Sequence, residues 1–252
     1  MLQIEQFPCL DDNYGYLIRD QATGQVACID TPDADAIAAE LDKRGWTLDV
    51  ILNTHWHPDH AGGNAALKAR YGSVIYGPQE VTRIAPLDHP VSAGDQVKLG
   101  QTVFQVIDVG GHTLQHIAYF DDADRVAFVG DSLFPLGCGR MFEGEPVQMW
   151  GGLMRLAALP DETRVYSAHE YTASNARFAL SVDDSPALKA RAEQVFAARE
   201  RGEWTVPTTM GAEKATNPFL RAPLLAERMG LAGKSDPEVF LAVRQAKDNF
   251  KA

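Results

Sequence analysis

A chain of 252 residues, 45% of them hydrophobic, is long enough for one large domain, or for a domain of about 150 to 180 residues with an appendage. Its formal net charge of -11 argues against a nucleic-acid binder, which presents basic surface to phosphates. No window nears the roughly 20 apolar residues of a membrane span, and MLQIEQFPCLDDNYGYL lacks a basic stretch followed by an apolar one, so a soluble chain without a targeting signal is expected.

In chain order, β-branched and aromatic runs predict strands at YGYLIRD, QVACIDT, DVILNTHW, SVIYG, TVFQVIDV, HIAYF, RVAFVGD and RVYSAHE. Helical patterns fall between them at residues 34–44 and 62–71, with another near 147–158. The alternation predicts a layered α/β domain. After Tyr171 the strand signals stop, and helical periodicity takes over in ASNARFALSV, PALKARAEQVFAARERG and SDPEVFLAVRQAKDNF. The last of these opens on a capping-box pattern from Ser235 to Glu238. Residues 202–223, with their prolines and glycines, read as an irregular connection. Charge changes along the chain as well: residues 1–185 hold 12 Lys+Arg against 26 Asp+Glu, and residues 186–252 hold 11 against 8. The expected organisation is an α/β domain over residues 1–171 and a helical domain over residues 172–252. Cys9, Cys28 and Cys138 are odd in number and widely spaced, so neither a disulfide framework nor a thiolate metal site is expected, and a reducing cytoplasm fits.

The apolar strand DVILNT runs directly into HWHPDH, which puts three of the chain's seven histidines and an aspartate within six residues. In an extended segment His55 and His57 point to the same side, and a turn after Pro58 can bring Asp59 and His60 to a second point nearby. One segment could then supply two adjacent centres. A catalytic zinc site takes about three protein ligands and keeps a position open for water, so further donors are needed. They are expected at other strand ends, and His112 in VIDVGGHT, Asp131 in VAFVGDS and His169 in VYSAHEY each close an apolar run. Singly each is weak, because a lone histidine is more often a satisfied or surface residue. His116 in TLQHIAY is expected to sit in the core or to support a ligand, and His89 to lie in a loop. No serine or cysteine nucleophile motif competes.

The H-x-H-x-D-H of 55–60, with GH at 111–112, GD at 130–131 and the late His169, resembles the metallo-β-lactamase superfamily. Within it, CLDDNYGYLI, GCGRMFEG at 137–144, AHEYT at 168–172, NPFLR at 217–221 and VRQAKDNF at 243–250 resemble the glyoxalase II family of hydroxyacylglutathione hydrolases, and these motifs span nearly the whole chain. The resemblance implies an α/β fold, an αββα sandwich followed by a C-terminal helical domain. It also implies hydrolysis of S-D-lactoylglutathione to D-lactate and glutathione, the second step of methylglyoxal detoxification. By the family pattern His55, His57 and His112 hold one divalent metal ion, Asp59, His60 and His169 hold another, and Asp131 bridges them. A hydroxide between the two metals, beside Asp131 and Asp59, is then the nucleophile. Zinc is the expected metal, and iron or manganese suits the same donors.

The family's glutathione-contacting positions fall on Arg140, Phe142, Tyr171, Arg244 and Lys247. Some members have lysine and tyrosine where Arg140 and Phe142 stand, so this chain keeps a charge and loses a hydroxyl. By position alone, Arg244 and Lys247 would only complement a helix dipole; the motif around them assigns them the glutathione carboxylates. The expected partner is a small glutathione thioester, with no nucleic acid, no membrane and a monomeric state. Two other readings stand beside this one. The first is another superfamily enzyme, either a persulfide dioxygenase with a single iron, which would leave His60 and His169 unligated, or a hydrolase of a different small anion. The second is a non-catalytic metal-binding protein.

Overall fold

Residues 1–251 are described in the computed structural model of the chain. They divide into two units, one of residues 1–108 with 115–130, the other of residues 109–114 with the chain from Asp131 onward.

In the first unit Leu2–Cys9 and Asn13–Asp20 pair antiparallel, from Leu2 opposite Asp20 to Cys9 opposite Asn13. Val26–Ile29 joins antiparallel, and Val50–Leu52, Val74–Gly77 and His89–Pro90 add in parallel. Parallel neighbours need crossovers, which the helices Ala34–Arg44 and Asn64–Tyr71 supply. The first of these is secured at both ends. Asp33 accepts hydrogen bonds from the Asp35 and Ala36 N–H groups, and Gly45, at φ 65, turns the chain away. Ile37 and Leu41 then pack with Leu67 onto Leu17, Cys28, Ile51 and Ile75 of the sheet. The other side of this sheet meets a second, antiparallel one made of Gln96–Leu99, Thr102–Asp108, Ile117–Asp121 and Val126–Gly130. The Tyr16 ring lies 5.8 Å from Phe128, and the buried Tyr119 hydroxyl donates to the Asn53 carbonyl at 2.9 Å. Burial on both sides explains why VACI and VIL are apolar throughout.

In the second unit Leu133–Phe134 and Gly137–Cys138 form a small ribbon, and Arg164–Ser167 pairs with Thr208–Thr209. Around them pack Pro146–Ala157, Thr172–Val182, Pro186–Glu200 and Asp236–Asn249. Phe219 stands between Phe178 and Phe240, and Phe240 reaches Trp150 at 5.9 Å, which makes an aromatic core. The capping box expected at Ser235 and Glu238 is present. Among the described residues no helix is long and apolar enough to cross a membrane.

Two longer strands escape the sequence reading, as do the two-residue strands His89–Pro90, Leu133–Phe134 and Gly137–Cys138, which are too short to show a pattern; His89, expected in a loop, pairs with Tyr76 of the sheet. Leu2–Cys9 is only partly covered, so LQIEQFPC shows no clean alternation, and Gln96–Leu99 is a four-residue edge. Residues 202–223 are also more ordered than their prolines and glycines suggest, with Thr208–Thr209 in a strand pair and Met210–Thr216 helical. The cause is the fully buried Glu213. Its carboxylate accepts hydrogen bonds from the Leu136 N–H at 2.9 Å, the Thr208 hydroxyl at 2.7 Å and the Asn217 amide at 2.9 Å, and it pairs with Arg191. A buried charge satisfied on all sides organises a segment that has no periodicity of its own.

Candidate functional site

The strand Val50–Leu52 delivers the chain to His55 and His57. Pro58 then opens a short helical turn, Pro58–Ala61, with His57 as its N-cap. Asp59 and His60 therefore sit on a helical turn that folds back. The His55 and His60 rings come to 4.0 Å, His55 Nε2 lies 3.0 Å from His57 Nδ1, and His60 Nε2 lies 3.4 Å from Asp59 Oδ2. The Asn13 amide donates to Asp59 Oδ2 at 3.1 Å. His116 is buried and stacks on His55 at 4.5 Å, in keeping with a supporting residue.

Sequence reasoning missed Asp30, which follows the strand Val26–Ile29 in a left-handed conformation (φ 56) and is buried. Its Oδ1 accepts the Thr54 N–H at 2.7 Å, while its Oδ2 accepts the Thr54 hydroxyl and His60 Nδ1–H, each at 2.8 Å. Having given its proton to Asp30, the Thr54 hydroxyl accepts from His55 Nδ1 at 3.0 Å. Both imidazoles thus carry their proton on Nδ1 and present a lone pair at Nε2, the state a metal ligand requires. The signal was there to be found: ACID closes an apolar strand just as VAFVGD does. Gly130 is needed beside this network, because at φ 50 a Cβ would stand 2.5 Å from Thr54 Oγ1.

In the second unit Asp131 addresses two histidines at once. Its Oδ2 is 3.4 Å from His112 Nε2, and its Oδ1 is 3.3 Å from His169 Nε2. His112 Nδ1 donates to the Arg140 carbonyl at 2.8 Å, which again leaves Nε2 as the donor atom. His169 stacks flat on Tyr171 at 4.8 Å. Gly111 admits no side chain here: at φ 141 a Cβ would meet Met149 at 2.4 Å.

Imidazoles with oriented lone pairs, together with carboxylates and without a thiolate, fit a divalent ion such as zinc, iron or manganese. The histidine and aspartate donors fall into three-residue groups of the kind that can hold a metal ion.

A cavity of about 480 Å³ in the second unit is lined by Arg140, Phe142, Tyr171, Arg244 and Lys247, together with His112 and Asp131. Every residue expected to contact glutathione therefore faces one space. The Arg140 guanidinium lies 5.7 Å from the Phe142 ring centre. Lys247 Nζ donates to the Ser174 carbonyl and hydroxyl at 3.2 and 3.0 Å. Burial, reinforced by Arg244, pushes the Lys247 ammonium down to about 8. Arg244 is itself buried and donates to the Cys138 carbonyl at 2.9 Å.

Fold and donor chemistry together define a member of the metallo-β-lactamase superfamily, which residues 13–169 match. Residues 170–250 match the hydroxyacylglutathione hydrolase C-terminus. Over 253 residues the chain is 53% identical to a hydroxyacylglutathione hydrolase of Erythrobacter litoralis, covering 99% of this chain and 100% of the relative. It is 52% identical to that of Maricaulis maris, covering 99% of each. Among solved structures, ETHE1 from Myxococcus xanthus aligns with a TM-score of 0.70 and 29% identity, covering 99% of this chain and 92% of that one. The chain belongs to the hydroxyacylglutathione hydrolase family of this superfamily.

Proposed function

We propose that the protein hydrolyses S-(2-hydroxyacyl)glutathione thioesters, taking S-D-lactoylglutathione to D-lactate and glutathione in the second step of methylglyoxal detoxification. One observation carries the reading: the donors His112 and Asp131 and the cations Arg140, Arg244 and Lys247 line the same cavity. Histidine and carboxylate donors alone would serve many substrates, and the cations narrow the choice to an anionic one.

In this reading His55, His57 and His112 hold one divalent ion, Asp59, His60 and His169 hold a second, and Asp131 bridges them. The superfamily match over residues 13–169 takes in all seven positions. Two such ions, zinc first among the candidates, would lower the pKa of a bound water towards about 7 and polarise the thioester carbonyl. The chain's own residues do the rest. Asp30 and Thr54 hold His55 and His60 in one tautomer, the Arg140 carbonyl does so for His112, and the cations receive the glutathione carboxylates. Glutathione leaves as a thiolate whose acid has a pKa near 8.5, so no strong general acid is needed. Residues 1–171 form the catalytic part and residues 172–252 supply most of the substrate-binding cations. Three buried, unbridged cysteines and a net charge of -11 are consistent with a cytoplasmic monomer that binds neither nucleic acid nor membrane. Purified protein is expected to contain two metal ions per chain and to cleave S-D-lactoylglutathione. One iron per chain, with oxygen consumed on glutathione persulfide, would overturn the reading.

Lys247 gives this binding a pH limit. Its ammonium titrates at about 8 in the folded protein, below the ordinary 10.5, so the charge is present below pH 8 and lost above it. In stability terms the unfolded chain binds the extra proton between these values, so burying the charged amine costs most below pH 8 and the cost is relieved above it. The KM for S-D-lactoylglutathione is expected to rise severalfold between pH 7 and 9, and Lys247→Arg, which keeps its charge, to flatten that rise. Equal pH profiles for the two proteins would remove Lys247 from substrate binding.

A further inference from the structure

We propose that Asp248 is a built-in counter-ion of the anion pocket, which the substrate carboxylate displaces on binding, so that this residue sets the affinity for glutathione thioesters. The inference rests on the pocket being the glutathione site. Asp248 stands one turn after Arg244 on the helix Asp236–Asn249 and lines the same cavity. Its Oδ1 accepts from Arg244 Nε at 3.2 Å and Nη2 at 2.9 Å, and lies 3.5 Å from Arg140 Nε.

Arg244 has little left to offer while this pair persists. Its Nη1 donates to the Cys138 carbonyl at 2.9 Å and approaches the Gly139 carbonyl at 3.4 Å. Of the five guanidinium N–H groups, Nε–H, both on Nη1 and one on Nη2 are thereby committed, leaving a single N–H for a ligand. A substrate carboxylate can form the stronger two-pronged pair only by taking the place of the Asp248 oxygen.

The two partners differ in their freedom to move. The Arg244 side chain is 6% exposed and pinned between the Cys138 carbonyl and the Phe219 ring, 4.9 Å away, whereas the Asp248 side chain is 34% exposed and can rotate into water. The helix dipole does not explain the acid either. It is the penultimate residue of its helix, where the dipole disfavours a negative charge. Its surroundings are the cations the substrate needs, and its charge offsets part of theirs. A single small anion therefore gains little by entering, while a ligand that engages Arg140, Arg244 and Lys247 together can displace it.

The test compares wild type with Asp248→Asn and Asp248→Ala, metal-loaded and at low salt. Both variants are expected to lower the KM for S-D-lactoylglutathione about two- to fivefold, as the loss of a partly exposed ion pair allows, with kcat unchanged. Calorimetry should show glutathione and succinate binding more tightly by a similar factor, and the gain should shrink in high salt. Turnover of a neutral N-acetylcysteamine thioester should not change. A KM that is raised or unaltered would mean that Asp248 supports Arg244 instead of competing for it, and would overturn the proposal. An equal gain with the neutral thioester would do the same. Failure of wild type to cleave S-D-lactoylglutathione would count against the hydrolase reading alone, because the glutathione calorimetry decides the role of Asp248 independently. If neither wild type nor variant binds glutathione, the inference falls.

Discussion

Asp131→Ala is expected to lower kcat/KM for S-D-lactoylglutathione by about a thousandfold or more and to strip metal from the protein. Its two oxygens lie 3.4 and 3.3 Å from His112 Nε2 and His169 Nε2, so one substitution removes the carboxylate that both ring nitrogens face. Two imidazoles would be left without the negative charge that draws cations to them, and under the proposed ligand set both ions lose a donor. Asp131→Asn separates charge from shape, since it fills the same volume with a poor ligand, and should fail nearly as badly. His116→Ala is the control. His116 is buried against His55 in a ring stack, so its loss should cost stability and only a modest share of activity. Metal content and kcat/KM measured on the same preparations decide the matter. If Asp131→Ala and His116→Ala lose activity equally, Asp131 is not the bridge.

Asp30→Ala should be almost as damaging, though Asp30 is assigned no metal. The buried carboxylate accepts from the Thr54 N–H, the Thr54 hydroxyl and His60 Nδ1, and through Thr54 it also sets the tautomer of His55. Alanine leaves the Thr54 N–H without its acceptor, which costs about 1–3 kcal/mol of stability for a buried neutral group. Both imidazoles are then released to carry the proton on either nitrogen, and loss of such support typically lowers metal affinity about 10- to 100-fold. Asp30→Asn isolates the second effect. Asparagine tolerates the left-handed backbone at φ 56 and can still accept the Thr54 N–H, but its amide cannot accept from both the hydroxyl and the imidazole. The asparagine variant should keep most of its denaturation midpoint and lose metal affinity. If its zinc affinity equals that of the wild type, Asp30 is a folding residue only.

Much of this protein follows from local pattern. The helix Ala34–Arg44 and the capping box at Ser235 were legible because periodicity and caps act over three or four residues. His112, Asp131 and His169 could be picked out as candidate donors because each closes an apolar run. By itself the sequence determined which histidines and aspartates close the strand runs, and the helical character of the tail. Tertiary structure alone decided what holds them. Asp30 meets Thr54 across 24 residues, Glu213 meets Leu136 across 77, and Arg244 meets Cys138 across 106. Such partners share no spacing or period, since what joins them is the requirement that a buried charge or N–H find its match wherever the folded chain happens to bring one. The same requirement committed Arg244 to Cys138 and Asp248, a state that its place in VRQAKDNF did not announce.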